Sequence, residues 1–282
     1  MGDRAPAAPL VNADWLRAAC KQPDVVVLDA SWHMPTTRRD GAAEFELGHI
    51  PGAAFFSIDG IADPDSPLPH MVPSAEAFAT AVGTLGVGTG DHVVCYASDG
   101  IGTAPRAWWM FRLFGHERVS VLDGGLPAWT TAGGGLVKGP ATAAPRIFRA
   151  ALDPTRIRDL AAVRANLATA AELVVDARSA GRFAGAEPEP RPGLRGGHVP
   201  GSVSLPYQTL LDGPRMLPPD ELRARLETAG VTGDQRPVFT CGSGVSACTL
   251  ALGLTLTGRD DWAVYDGSWS EWGGRADVPV AS

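Results

Sequence analysis

The sequence predicts an α/β protein of two tandem domains, each a mainly parallel sheet with helices on both faces. Three observations carry this. Short runs rich in Val, Leu and Ala alternate with segments of helical spacing. The runs are apolar almost throughout, as strands covered on both sides are. A series of short motifs also occurs twice, in the same order.

The duplication fixes the domain count. Val25-Val26-Val27-Leu28-Asp29-Ala30 returns as Leu173-Val174-Val175-Asp176-Ala177-Arg178. Gly48-His49-Ile50-Pro51-Gly52 returns as Gly197-His198-Val199-Pro200-Gly201, at an offset of 149. Thr89-Gly90-Asp91 returns as Thr232-Gly233-Asp234, and Asp123-Gly124-Gly125 before Trp129 returns as Asp266-Gly267-Ser268 before Trp272, both at an offset of 143. The first half thus holds six more residues between the second and third motifs. They fall in Ser57 to Val72, which carries Asp59 and His70 among several prolines. An enlarged polar loop of this kind is suited to reach another domain. His49 and His198 recur in both halves, so a structural turn role is expected for them.

Each half reads alike in order. A helix opens it, capped by Asn12 with Trp15, Leu16 and Ala19 inward, or by Asp159 with Leu160, Val163 and Leu167 inward. An apolar strand ending in Asp follows, then the Gly-His-x-Pro-Gly turn. A second short apolar segment comes next, Ala53 to Phe56 or Val203 to Leu205. A helix (Ser74 to Val82; Asp220 to Glu227), a buried strand, a loop and another helix lead to a last strand (Val119 to Leu122; Trp262 to Tyr265) and a Trp-bearing turn. Gly133-Gly134-Gly135 through Pro145 lacks periodicity. The expected domains are therefore 1–135 and 156–282, with a linker over 136–155.

Composition bounds the function. A chain of 282 residues, 45% hydrophobic and 20% charged, is ordinary for globular domains. A net charge of −7 argues against general nucleic-acid binding, while leaving room for a local basic pocket for small anions. No apolar run is long enough to span a membrane. The start, Met1 to Pro6, shows neither a secretory nor a myristoylation signal. A cytoplasmic protein is expected, with neither nucleic acid nor membrane among its partners. Cys20, Cys95, Cys241 and Cys248 form no Cys-x-x-Cys pair, so neither a metal cluster nor a dithiol is expected. Cys20, Cys95 and Cys248 read as small buried hydrophobes.

Cys241 reads differently. Thr240-Cys241-Gly242-Ser243-Gly244-Val245-Ser246-Ala247 lies between a strand, Val238-Phe239, and a buried helix from Cys248. Ligands of parallel sheets bind beyond the carboxyl ends of the strands. A Gly-rich loop entering a helix presents N–H groups and partial positive charge, which favour a thiolate. Gly242 and Gly244 are suited to φ > 0 there. The aligned loop of the first half, at an offset of 142, places Asp99 over Cys241, which leaves that half without a nucleophile. Ser246 is placed to cap the helix. A cysteine phosphatase would need Arg six residues after the Cys, and position 247 is Ala.

These features resemble the two-domain rhodanese-type sulfurtransferases, over nearly the whole chain. The uncharged loop Cys241-Gly242-Ser243-Gly244-Val245-Ser246 is similar to that of the 3-mercaptopyruvate branch; thiosulfate-specific members carry basic residues just after the Cys. The segment Asp176 to Arg191 is similar to that branch's substrate-binding segment. The resemblance implies two rhodanese-like domains, a persulfide on Cys241, and a donor's carboxylate and ketone held by Arg182 and Arg191. It implies Gly242, Gly244, Val245 and Ser246 as the substrate cradle, and a relay of Asp59, His70 and Ser243. The expected partners are a small sulfur donor and a thiol acceptor, among them a thioredoxin-like dithiol, or cyanide. The persulfide is itself the carrier, so no metal or organic cofactor is expected. The alternative is thiosulfate:cyanide sulfur transfer on the same fold. The plain alternative for Arg182 and Arg191 is pairing with Glu187 and Glu189.

Overall fold

The computed structural model describes residues 6–282; the N-terminal segment read for signals lies largely outside the described residues. The chain forms two compact units. The first runs to Ala62 and adds Val72–Asp153 and Asp212–Met216. The second comprises Asp63–Met71, Pro154–Leu211 and Leu217–Ser282.

In the first unit the chain runs β1 (Leu10–Val11), α1 (Ala13–Ala19), β2 (Val25–Asp29), α2 (Gly41–Leu47), β3 (Ala54–Phe55), α3 (Ala75–Thr84), β4 (His92–Tyr96), α4 (Ala104–Leu113), β5 (Val119–Leu122) and α5 (Gly125–Thr131). Its five strands are ordered β1-β5-β4-β2-β3, with every pair parallel. The second unit repeats the plan with β6 (Ile157–Arg158), α6 (Leu160–Thr169), β7 (Glu172–Asp176), α7 (Ala180–Phe183) and β8 (Val203–Ser204). After the two-residue strands β9 (Leu211–Asp212) and β10 (Arg215–Met216), of which Asp212–Met216 count with the first unit, the second unit resumes with α8 (Pro219–Thr228), β11 (Arg236–Thr240), α9 (Ala247–Leu256), β12 (Ala263–Tyr265) and α10 (Ser268–Trp272). The order β6-β12-β11-β7-β8, again all parallel, matches the first sheet strand for strand.

The central strands are buried on both faces, which is why they read as nearly continuous apolar runs. Val94 and Tyr96 of β4 face one core with Leu16, Phe45 and Trp129, and successive residues of a strand alternate sides. Val174, Val238 and Ala263 form the matching core with Trp269 and Trp272. Every residue of α9 from Ala247 to Leu254 is buried, and apart from Thr249 the stretch is apolar or glycine on every side.

Several expectations shift. Asn12 and Asp159 cap their helices as read. Trp15, expected inward, is 38% exposed, because Ala13, Leu16 and Ala19 fill the buried stripe. The segment expected as a linker is held to the first unit: Val137 exchanges backbone bonds with His49, Arg146 N donates to Gly83 O, and Ala151 N to Phe114 O. The two-residue strands β1 and β6 and the four-residue α7 carry too few residues for a periodicity to show. His49 and His198 are turn fixtures. Each stacks on a phenylalanine, Phe45 or Phe183, at 3.8 Å and bonds that residue's carbonyl through Nδ1.

The ladders correct one alignment. Tyr96 is the partner of Asp29, as Thr240 is of Asp176. Ala30 N donates to Tyr96 O as Ala177 N does to Thr240 O, and Leu126 N to Ala97 O as Trp269 N does to Cys241 O. The counterpart of Cys241 is therefore Ala97, not Asp99. The first loop is one residue longer before its helix, Ala97 to Thr103 against Cys241 to Ser246, and the glycines within the two loops do not keep the register of the strands. A methyl group stands where the second unit has its thiol.

Candidate active site

Cys241 follows directly on β11, at the carboxyl end of the sheet, and is 2% exposed. The turn that opens α10 sets the shape of its loop. Trp269 N donates to Cys241 O at 2.9 Å. Ser270 closes on Gly242 O twice, with its N at 2.8 Å and its Oγ at 2.7 Å. In a trans peptide the N–H points opposite to the C=O. With these two carbonyls tied to Trp269 and Ser270, the N–H groups of Gly242 and Ser243 are turned the other way, as an anion cradle requires.

The N–H of Cys241 itself is taken, donating to Ser268 Oγ at 3.2 Å, while that hydroxyl donates to Tyr265 O at 2.8 Å. Gly244 has φ +74, the left-handed turn that suits glycine, while Gly242 does not use positive φ. Its lack of a side chain serves close approach instead. A Cβ on Gly242 would lie 3.1 Å from Arg182 Nη2 and 3.9 Å from Arg191 Nη1. Both arginines therefore flank the Cys loop.

Ser243 and Val245 are buried, and Ser246 is half-buried at the loop's end. Ser246 does not cap α9 through its side chain: its backbone is already helical (φ −71°, ψ −16°), whereas a capping residue is extended. Cys248 Sγ donates to Gly244 O, one helical turn back, which ties the loop to α9. Burial pushes the Cys95 thiol well up, which keeps it protonated and inert.

His70 and Ser243 are brought together. Segment Asp63–Met71 belongs to the second unit, where Asp63 N donates to Met71 O at 2.8 Å. His70 is 5% exposed, with φ +63, and its Nδ1 shares a hydrogen bond of 3.0 Å with Ser243 Oγ. Asp59, the third member of the expected relay, lies in the first unit, where it accepts from Trp32 Nε1 at 2.9 Å.

Arg182 follows the Ser179 cap of α7, which accepts its N–H. Glu189 takes the Nε and Nη2 edge of Arg182, at 3.2 and 2.5 Å. That side-on edge, with which a guanidinium grips a carboxylate, is thus already filled by a protein carboxylate, leaving Arg182 its outer N–H groups. The other oxygen of Glu189 accepts from Arg178 Nη1 at 2.7 Å. Arg178 is fully buried, paired with Asp176, bonded to Gly197 O and lying 4.2 Å from the Trp269 ring centroid. Glu187 instead accepts from Ser179 Oγ.

Sequence reasoning missed Ser268, Ser270 and the Arg178–Glu189 pair. One signal for Ser268 was present: it stands where the first half has Gly125, and both have positive φ, +50 and +53. A side chain kept where glycine is easier marks a task for that side chain.

A rhodanese-like domain model matches residues 12–132 and 159–275. The human 3-mercaptopyruvate sulfurtransferase is 48% identical over 95% of this chain and 92% of its own. The Arabidopsis thaliana mitochondrial thiosulfate/3-mercaptopyruvate sulfurtransferase 1 is 41% identical over 97% of this chain and 78% of its own. The crystal structure of SseA from Escherichia coli, a 3-mercaptopyruvate sulfotransferase with the rhodanese fold, superposes with a TM-score of 0.86 at 37% identity, covering 94% of this chain and all of that one.

Proposed function

The chain belongs to the rhodanese-like family, and from that premise we propose that it transfers the sulfur of 3-mercaptopyruvate through a Cys241 persulfide, releasing pyruvate. The observation that carries this is the pairing of an uncharged cradle with two guanidiniums beside it. Cys241 thiolate attacks the donor sulfur. The C–S bond breaks, its electron pair forms the enolate of pyruvate, and the enolate takes a proton. Arg182 and Arg191 hold the 2-oxo acid by its carboxylate and ketone. The N–H groups of Gly242 and Ser243 face the sulfur and steady its negative charge. Ser243, bonded to His70, serves the proton transfer or polarises the ketone. The outer sulfur then passes to cyanide, a small thiol or a thioredoxin-like dithiol, and Cys241 thiolate is restored.

Thiosulfate is the second donor to weigh, since the name of the Arabidopsis relative includes it. A compact dianion is best held by cations in the loop itself, and Gly242, Ser243 and Gly244 supply none. Steady-state rates on both donors test the reading. A higher kcat/KM for thiosulfate than for mercaptopyruvate would overturn it.

A further inference from the structure

We propose that Glu189 is a specificity-determining residue: its buried carboxylate moderates the positive charge beside Cys241, so that the site favours a monoanionic sulfur donor over a dianionic one. The inference rests on the reading of Cys241, Arg182 and Arg191 as the donor site.

Glu189 is 2% exposed at its side chain, and a carboxylate so buried needs partners. Arg178 is one of them, and Arg178 cannot turn away. Asp176 holds its Nε and Nη2, Gly197 O takes Nη2 as well, and Trp269 lies against its face. Glu189 is thereby fixed, and its second oxygen faces Arg182, which is 23% exposed at its side chain and borders Gly242. A carboxylate is thus held against the guanidinium that meets the donor.

Two effects follow. Glu189 orients Arg182, leaving outer N–H groups for the donor in place of its side-on edge. It also cancels part of the local positive potential. Removing one negative charge would help a dianion about twice as much as a monoanion, since the interaction scales with ligand charge. An Arg182 without this neighbour would suit a 2-oxo acid and thiosulfate alike. A partner serving only to satisfy Arg178 would affect both donors equally when lost.

The test is the ratio of kcat/KM for thiosulfate to that for mercaptopyruvate, measured on the full chain as wild type, E189Q and E189D. E189Q removes the charge and keeps the shape; its ratio should rise about fivefold or more over wild type. E189D keeps the charge and should hold the ratio within about twofold, even where both rates fall. An unchanged ratio in E189Q overturns the proposal. Should E189Q fail to fold, E189D keeps the proposal open to refutation: a ratio displaced as far as fivefold with the charge retained overturns it. The wild-type rates test the donor reading separately. A wild type that prefers thiosulfate would sink that reading while the shift between variants remained measurable.

Discussion

Ser268 Oγ accepts the backbone N–H of Cys241 at 3.2 Å, from a residue whose own backbone has φ +50. A non-glycine residue there costs about 1–2 kcal/mol. The first unit meets the same turn with Gly125. The cost is retained where a hydroxyl orients the peptide that carries the nucleophile.

Ser268→Ala and Ser268→Gly should therefore separate two effects. Both lose the bond to Cys241 N–H, and kcat/KM should fall about tenfold in each as the loop loosens. Only the glycine variant relieves the backbone, so it should be about 1 kcal/mol more stable than the alanine variant. Urea unfolding and kinetics on the two proteins check this. Equal stabilities would refute the strain.

Ser243 and His70 should act as a unit. Each single change to Ala should lower kcat about a hundredfold, and the double variant should lose little more. Fully additive losses in the double-mutant cycle would mean that the 3.0 Å contact has no catalytic consequence.

Arg191→Ala should reduce kcat/KM for mercaptopyruvate by about thirtyfold, near 2 kcal/mol for a lost charge-assisted contact. The loss should fall less on cyanide as acceptor, which carries no carboxylate. An unchanged donor kcat/KM would remove Arg191 from the donor site.

His92 predicts how the first unit responds to acid. Burial, with Arg118 nearby, pushes its imidazole down to about 4. It bonds Ser120 through Nε2 at 2.8 Å. The unfolded chain binds that proton near pH 6.5, while the folded one resists until about 4, so stability falls as pH drops through this window. The whole contribution is on the order of 3 kcal/mol. His92→Gln should flatten the loss of urea stability between pH 6.5 and 5. A slope equal to wild type would assign the acid sensitivity elsewhere.

The architecture was legible because a doubly covered parallel sheet writes itself as apolar runs, and because the chain carries it twice. At the site, Cys241 stood out by its place after a strand in a Gly-rich loop, whereas Ser243, Arg182 and Arg191 were marked by the motif resemblance alone. Register was harder. Only the ladder partners Asp29–Tyr96 and Asp176–Thr240 show that Ala97 replaces Cys241. Pairing was harder still. Glu189 stands seven residues from Arg182 and eleven from Arg178, in a segment without periodicity, so which guanidinium it meets depends on the folded path. Ser270 reached Gly242 O from 28 residues away, a distance that no local pattern spans.

Mass spectrometry of the Cys241 peptide after incubation with mercaptopyruvate and no acceptor tests the central claim most directly. The account predicts a gain of one sulfur atom on Cys241, lost on adding cyanide, and no such gain in Cys241→Ser. Sulfur appearing on Cys20, Cys95 or Cys248 instead, or turnover surviving in Cys241→Ser, would contradict it.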